Sequence, residues 1–480
     1  MKKALLLALF VATDALARPG GGDTYSGDSS GDSGGGDGGV PFALVRLLVW
    51  LLFEHPIIGV PVTIAVIAWY WHTTQQKKRS RGWDAGEPRR PPVRPLSARR
   101  TLERLKTIDP NFSTVLFEDF VYALYARAHE ARGARKLDEW SPYLSDAARA
   151  WLLGLARGVA RVDAIVVGAL HIRSVSGVTA SDADTVVNLE IEANYTEDGR
   201  DWYATEHWTL ARKTTARSKS PETITKFGCP SCGASTAELR DSVCAFCGSR
   251  VDTGSFDWRV TGISGRREPR GPRLTGTVHE QGTSLPTVVA ADTGERMAKL
   301  LARDPALSLE GIQARIRLVH GALNEAWSER AWKKARPFVT DALFQTQLYW
   351  IETYKKAGLT NRVDDARVLR IEVAAIDSDA YYDAITARVY ATGKDHTVRD
   401  ADGAVVAGSK TAERPYSEYW TLIRGRSVTR APLGAAQCPS CGAGLDVGMS
   451  GECKYCNAKI TSGEFDWVLS RIEQDESYTG

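Results

Sequence analysis

The chain reads as an α+β protein in which one unit is written twice. Three observations carry that reading. Helical spacing changes to strand alternation midway through each half. Short motifs recur at a nearly constant offset, and each half closes on the same block of four cysteines. A membrane-directed amino terminus, with a signal or anchor and a transmembrane helix, precedes both halves.

The 480 residues leave room for two or three domains, and 43% hydrophobic with 25% charged residues is ordinary for a folded chain. A net charge of +3 gives no nucleic-acid footprint, so any basic character is local.

Lys2 and Lys3 precede the apolar run Ala4 to Ala12, and Ala15-Leu16-Ala17 fits a small-x-small cleavage site. Residues 1–17 are read as a signal peptide or an uncleaved anchor. Residues 18–40 are Gly, Ser and Asp with little else, which cannot bury a core and predicts a disordered linker. Residues 41–72 are the membrane segment. Pro56 to Trp71 carries no charge, and Trp69, Tyr70 and Trp71 make an interfacial aromatic cluster. Either one helix spans behind an interfacial amphipathic helix, or the whole stretch is one span kinked at Pro56 and Pro61. Lys77, Lys78, Arg79 and Arg81 follow it, whereas Asp23, Asp28, Asp32 and Asp37 precede it. Basic flanks stay inside, so everything after residue 72 is expected in the cytoplasm.

Residues 73–96 are a basic, proline-rich linker. Between 77 and 100, nine Lys and Arg are opposed only by Asp84 and Glu87. Pro88, Pro91, Pro92 and Pro95 forbid a helix there. Such an extended strap suits anionic membrane lipid, at about 1 kcal/mol per basic residue. RNA is the other candidate, but no stacking platform stands beside the strap.

The rest of the chain repeats. Leu102-Glu103-Arg104-Leu105 leads to Asp109-Pro110-Asn111-Phe112, and Ala298-Lys299-Leu300-Leu301 leads to Asp304-Pro305-Ala306-Leu307. The Asp-Pro pairs lie 195 residues apart, as do Pro142–Ala147 and Pro337–Ala342. Trp208-Thr209-Leu210 returns as Trp420-Thr421-Leu422 at 212, and the cysteine blocks return at 209. The larger offset predicts a longer hairpin in the second copy, at residues 392–413. Phe117, Phe120, Val121 and Leu124 keep helical spacing, as do Ile312, Ile316, Val319 and Leu323. Ser145 and Thr340 each suit an N-cap. Then Val187, Leu189 and Ile191 alternate with Asn188, Glu190 and Glu192, and Leu369, Ile371 and Val373 alternate with Arg370 and Glu372. Helices first and antiparallel strands after give one sheet face packed on helices.

This order of elements, the Leu-Glu-Arg-Leu…Asp-Pro-Asn-Phe opening and the His207-Trp208-Thr209-Leu210 strand resemble the bacterial relatives of the mitochondrial inner-membrane import-motor tether. Those relatives belong to the nuclear-transport-factor-two-like cone superfamily. The resemblance covers residues 97–215 and, more weakly, 294–426, where Leu307 replaces the Phe of the opening motif. It implies two tandem cone-shaped domains, each a set of helices on a curved antiparallel sheet. It also implies a scaffold at the bacterial inner (cytoplasmic) membrane. Asp109-Pro110 and Asp304-Pro305 are read as helix-breaking turns and not as a site.

Cys229, Cys232, Cys244 and Cys247 are spaced x2, x11, x2, and Cys438, Cys441, Cys453 and Cys456 repeat that spacing. Two knuckles at this separation are what a four-thiolate tetrahedral site requires. Each block predicts a small zinc ribbon, at residues 225–262 and 434–472, with 263–293 a linker. Two structural Zn2+ ions are expected, since four thiolates leave no open position for water. Iron in a rubredoxin-like site stays open. Disulfides fit poorly, because neither copy has a thioredoxin-type setting. Gly233, Gly248 and Gly442 follow second cysteines, where a positive φ wraps amides toward sulfur, and Asn457 tolerates the same conformation. After each block comes Gly-x-Phe-Asp-Trp, at Gly254–Trp258 and Gly463–Trp467. It is read as a closing strand whose Phe and Trp cover a ribbon too small to form its own core.

No nucleophile motif, P-loop, dinucleotide fingerprint or zincin motif stands in the chain. Cone-fold enzymes use pocket carboxylates, His or Tyr, for which His171, His207, Glu190 and Tyr195 are the candidates. The reading is a non-enzymatic membrane scaffold. Its cone cavities bind lipid, peptide or a partner protein, in protein translocation or membrane-protein assembly. One alternative is a pocket enzyme of the isomerase or dehydratase kind, which would show two buried carboxylates or a His–carboxylate pair in both copies. The other is a nucleic-acid-binding zinc-ribbon protein.

Overall fold

The computed structural model describes residues 98–480, apart from 225, 237–238, 241, 270–282, 433, 435–436, 476–477 and 479–480. The expected signal, Gly/Ser/Asp linker, membrane segment and basic strap (1–17, 18–40, 41–72 and 73–96) lie outside the described residues. Among the described residues, no helix is long and apolar enough to cross a membrane.

The first half opens with α1 (Ala98–Glu103) and, after the Asp109-Pro110 turn, α2 (Thr114–Gly133). Ser113 starts α2 by accepting the Leu116 amide on its hydroxyl. Leu116, Phe117, Phe120, Val121, Leu124 and Ala128 recur three and four residues apart and are all buried. Ser145 caps α3 (Asp146–Leu155) in the same way, accepting from the Ala148 amide. Three strands follow as antiparallel neighbours: β1 (Val162–Ser176), β2 (Asp184–Glu197) and β3 (Arg200–Lys213). Val187, Leu189, Ile191 and Ala193 are buried against the helices, as their alternation predicts. Asp198 and Gly199 alone join β2 to β3, with φ of 45° and 85°, the type I′ geometry that Asp-Gly favours.

The first cysteine block holds a small hairpin, β4 (Leu239–Arg240) and β5 (Val243–Cys244). Beyond it, β6 (Arg259–Glu268) returns to pair with β3, so the sheet order is β1-β2-β3-β6. Here the structure differs from the sequence reading, which gives residues 259–262 to the ribbon and 263–293 to a linker. Trp258 differs likewise. It fills the core of the first half, its ring edge-on to Phe117 with centroids 5.0 Å apart. The physical reason is available area: the ribbon's own cluster of buried residues is only Cys229, Cys244 and Val251.

The second half repeats the order with α4 (Thr293–Arg303), α5 (Leu309–Ser328) and α6 (Asp341–Lys356). Its strands are β7 (Leu359–Ser378), β8 (Tyr382–Arg399), β9 (Val405–Gly408), β10 (Arg414–Gly425) and β11 (Val468–Gln474). The sheet runs β11-β10-β8-β7, with β9 folded back on β8. β11 stands where β6 stands in the first half and arrives, like it, after the cysteines. Thr340 takes the backbone of an N-cap (ψ 167°) but its side chain makes no capping bond. Leu369 is exposed, because the β7–β8 ladder shifts register between Val368 and Arg370 and breaks the alternation.

The Asp-Pro turns do more than end helices. Asp109 is fully buried and accepts from Arg212 Nη2 at 2.8 Å and from the Ser218 amide at 2.9 Å. Asp304 accepts from Arg424 Nη2 at 2.6 Å. Each arginine lies over the tryptophan that follows its cysteine block, Arg212 over Trp258 at 4.7 Å and Arg424 over Trp467 at 4.6 Å. One buried Asp–Arg–Trp stack therefore ties turn, sheet and ribbon exit together in both halves.

The halves share a seam. Tyr203 of β3 packs in the core of the second half, and Tyr382, Ile423 and Val468 pack in that of the first. Around this lies a charged cleft of about 70 Å³ lined by Arg99, Glu103, Glu118, Asp119, Asp377 and Arg471. Glu118 bonds Arg471 at 3.1 Å and also Arg99; Lys106 bonds Asp377 at 2.8 Å. Burial, then the nearby Glu118 and Asp341, push the Asp119 carboxyl from 3.8 to about 7. The folded state then keeps a proton that the unfolded state releases, so stability falls as pH rises from 3.8 through about 7. Asp119→Asn is expected to flatten that limb of the Tm-against-pH curve; an unchanged slope would show an ordinary carboxyl.

Candidate metal centres

Each cysteine pair sits on a tight knuckle held by two backbone bonds. Gly233 N donates to Cys229 O at 2.8 Å, and Cys229 N donates to Ala234 O at 2.6 Å. The pattern recurs at Cys244 with Gly248 and Ser249, at Cys438 with Gly442 and Ala443, and at Cys453 with Asn457 and Ala458. The residue after each second cysteine takes a positive φ: Gly233 82°, Gly248 68°, Gly442 75° and Asn457 57°. No atom crowds a Cβ at the three glycines, so the turn asks for the conformation and not for space, and Asn serves as well.

The knuckles face one another in pairs. Cys229 Sγ lies 3.8 Å from Cys247 Sγ, Cys232 Sγ 3.8 Å from Cys244 Sγ, and Cys438 Sγ 3.9 Å from Cys456 Sγ. Within each block all four sulfurs lie within 4.8 Å of one another. A tetrahedral ion with bonds of about 2.3 Å sets its sulfurs about 3.8 Å apart. A disulfide needs about 2.05 Å, and all eight cysteines are free. The two blocks thus have the spacing to hold two metal ions. Burial pushes the Cys229 thiol up to about 12, whereas the Ser249 hydroxyl and amide hold Cys247 down at about 6. In the second block the Ala458 amide holds Cys456 at about 7. Each block therefore offers a thiolate near neutral pH for an ion to capture first.

The two blocks dock differently. Phe227, two residues before the first, packs against Phe120 and Tyr143 with centroids 5.6 and 5.1 Å away. The second is held by charged side chains. Arg336 Nε donates to Met449 O at 3.0 Å, and Lys459 bonds Asp341 at 2.7 Å. Both blocks expose an aromatic at the tip of the second knuckle, Phe246 (77% exposed) and Tyr455 (66%).

The candidates for catalysis are split between the faces of the first sheet. His171, Glu190 and His207 are cross-strand neighbours on its outer face, and His207 Nδ1 lies 3.7 Å from Glu190. Tyr195 is buried on the opposite face, under Arg132 and 5.1 Å from the His129 ring. That inner face holds residues the sequence reading missed. His129 Nε2 lies 3.3 Å from Glu206, which also accepts from Trp208 Nε1 at 2.8 Å; Arg132 bonds Glu197 at 2.6 Å. Burial lowers the His129 pKa against the pull of Glu206, which favours neutral imidazole. The second half keeps Glu418 bonded to Trp420 at 2.9 Å, but Asn324 stands where His129 would be. One turn earlier His320 is buried, bonds Tyr416 at 2.9 Å and lies 5.8 Å from the Trp420 ring. The missed signal was legible: Glu206 shares the strand phase of Ala204, Trp208 and Leu210, all buried.

No curated protein matches the chain. Among protein families, the Tim44-like domain matches residues 293–432. That stretch runs from α4 past the end of β10, so it falls on the half that keeps less of the opening motif, where Leu307 replaces the Phe. The mixed helix and antiparallel sheet of these residues is thus similar to a Tim44-like domain, and the first half stands beside it with the same order of elements.

Proposed function

We propose that this chain is a membrane-anchored, non-enzymatic scaffold that holds a partner polypeptide at the cytoplasmic face of a bacterial inner membrane, in protein translocation or membrane-protein assembly. The match of residues 293–432 to a Tim44-like domain carries the reading. The basic strap and membrane segment supply the anchor and the contact with anionic lipid. Two structural Zn2+ ions, held by Cys229, Cys232, Cys244 and Cys247 and by Cys438, Cys441, Cys453 and Cys456, keep the ribbons rigid. The inner faces of the sheets are filled by side chains such as Trp208, Leu210, Trp420 and Leu422, so we move partner binding from cone cavities to the exterior. Phe246 and Tyr455, presented twice at the same place, are the contacts assigned to the partner.

Three measurements test this reading. A reporter fused after Gly480 is expected in the cytoplasm; periplasmic activity reverses the topology. Elemental analysis of the full chain is expected to give two zinc ions bound by thiolate, beyond any metal held elsewhere; four disulfides and no metal sink both the metal and the topology. A photocrosslinker at Phe246 or Tyr455 in intact membranes is expected to capture a polypeptide, and adducts to lipid alone would remove the scaffold reading. One observation favours the enzyme alternative, the His129–Glu206 pair. If His129→Gln abolished a turnover that the wild type shows, that alternative would replace ours.

A further inference from the structure

The outer face of the first sheet carries a second kind of metal-ligand chemistry. His171, Glu190 and Glu192 each bring a ligand atom within 4.8 Å of the others. The sheet register explains the meeting. Glu190 of β2 pairs with His171 of β1 on one side and with His207 of β3 on the other. Glu192, two residues along, shares the same face. His207 Nδ1 reaches within 3.7 Å of Glu190 Oε2. Three strands thus deliver two imidazoles and two carboxylates to one patch.

Glu192 is the most buried member, nine-tenths covered and held by one partner. One oxygen accepts from Tyr203 Oη at 2.8 Å. Its other oxygen accepts no hydrogen bond among the described residues and is not sealed from solvent, so it is open to an incoming cation. His171 likewise has no hydrogen-bond partner among the described residues. Arg173 does bond Glu190, so a cation already competes for that carboxylate. The second half shows the opposite chemistry in the same row. Glu372, Arg388 and Tyr419 are its cross-strand neighbours. Arg388 bonds Asp475 at 2.9 Å, and the Tyr478 ring stacks on Tyr419 with centroids 3.8 Å apart. That row is closed by side chains, whereas the first is left open.

We infer that His171, Glu190 and Glu192, with His207 at the edge, form a third divalent-metal site, present in the first half alone and distinct from the cysteine blocks. Mixed imidazole and carboxylate ligands suit a borderline ion such as Zn2+, Co2+ or Ni2+ better than Ca2+ or Mg2+. The site also touches the seam. Tyr203 orients Glu192 by its hydroxyl while its ring packs in the core of the second half, so occupancy bears on how the halves pack.

Cobalt distinguishes this site from the ribbons. The full chain, its ribbons loaded with Zn2+, is titrated with CoCl2. One further Co2+ per chain is expected, with visible d–d absorption and no sulfur-to-metal charge-transfer band. The double variant His171→Ala/Glu192→Gln should lose it while the cobalt-free melting curve stays unchanged. Tyr203→Phe should weaken it about tenfold, as loss of an orienting partner does. Arg173→Ala should tighten it by freeing Glu190. The inference is overturned if no further cobalt binds, if the added cobalt shows the charge-transfer band, or if the double variant binds it undiminished.

Discussion

Arg424→Met in the full chain is expected to destabilise the second half by about 3–5 kcal/mol, the cost of leaving a buried charge without its partner. The Asp304 carboxylate, 1% exposed, would lose its 2.6 Å bond and keep only the weaker one from the Ala306 amide. Trp467 would lose the guanidinium over its ring. The double variant Asp304→Leu/Arg424→Met should recover most of the loss, because an apolar pair removes the stranded charge. Hydrogen exchange reads the effect locally: β10 and β11 lose protection while β1 to β3 keep theirs. A loss under about 1 kcal/mol would mean that the pair behaves like one on the surface. Arg212→Met provides the matching experiment in the first half, where Ser218 also bonds Asp109 and should soften the result.

Cys438→Ser is expected to remove one of two bound ions and to melt the second ribbon alone. The ribbon's own buried cluster is Cys438, Val447, Cys453 and Ile460, far too little to fold without an ion. Structural zinc in isolated fingers contributes about 10–16 kcal/mol near neutral pH, so the proposed ion would supply most of that ribbon's stability. Trp467 belongs to the core of the second half, and β11 pairs with β10. The sheet should therefore survive. The expected signature is one zinc per chain, fast exchange at residues 453–460, and retained protection in β10. Collapse of the whole second half would show that the sheet depends on the ribbon throughout.

Much of this was readable from residue types and spacing. The α+β order, the doubled unit, the helical faces and the cysteine knuckles all rest on local periodicities, and local physics writes them into sequence. What escaped depends on contacts far along the chain. The closing strand at Arg259–Glu268 looks like the end of a ribbon and the start of a linker because its partner β3 ended 46 residues earlier, and its own pattern is half polar. Asp109 and Asp304 look like turn residues because their arginines lie 103 and 120 residues away. The inward Leu369 expected from alternation is undone by a bulge, which shifts phase without leaving a mark in composition. His129 and Glu206 are 77 residues apart and meet only once helix and sheet pack.

The position of the ribbons has a consequence for how the protein is made. A ribosome delivers β3, then the cysteines, then β6, and later β10, then the cysteines, then β11. Each nascent sheet waits with an open edge until its ribbon has emerged, and an open edge invites pairing with the wrong chain. An ion that draws four thiolates together shortens the slack between the strand ends, and so lowers the entropy lost on closing that edge. If the blocks hold zinc as proposed, metal supply acts during synthesis and not only afterwards. In a zinc-starved cell, aggregation of unfinished chains should precede any loss from the finished protein.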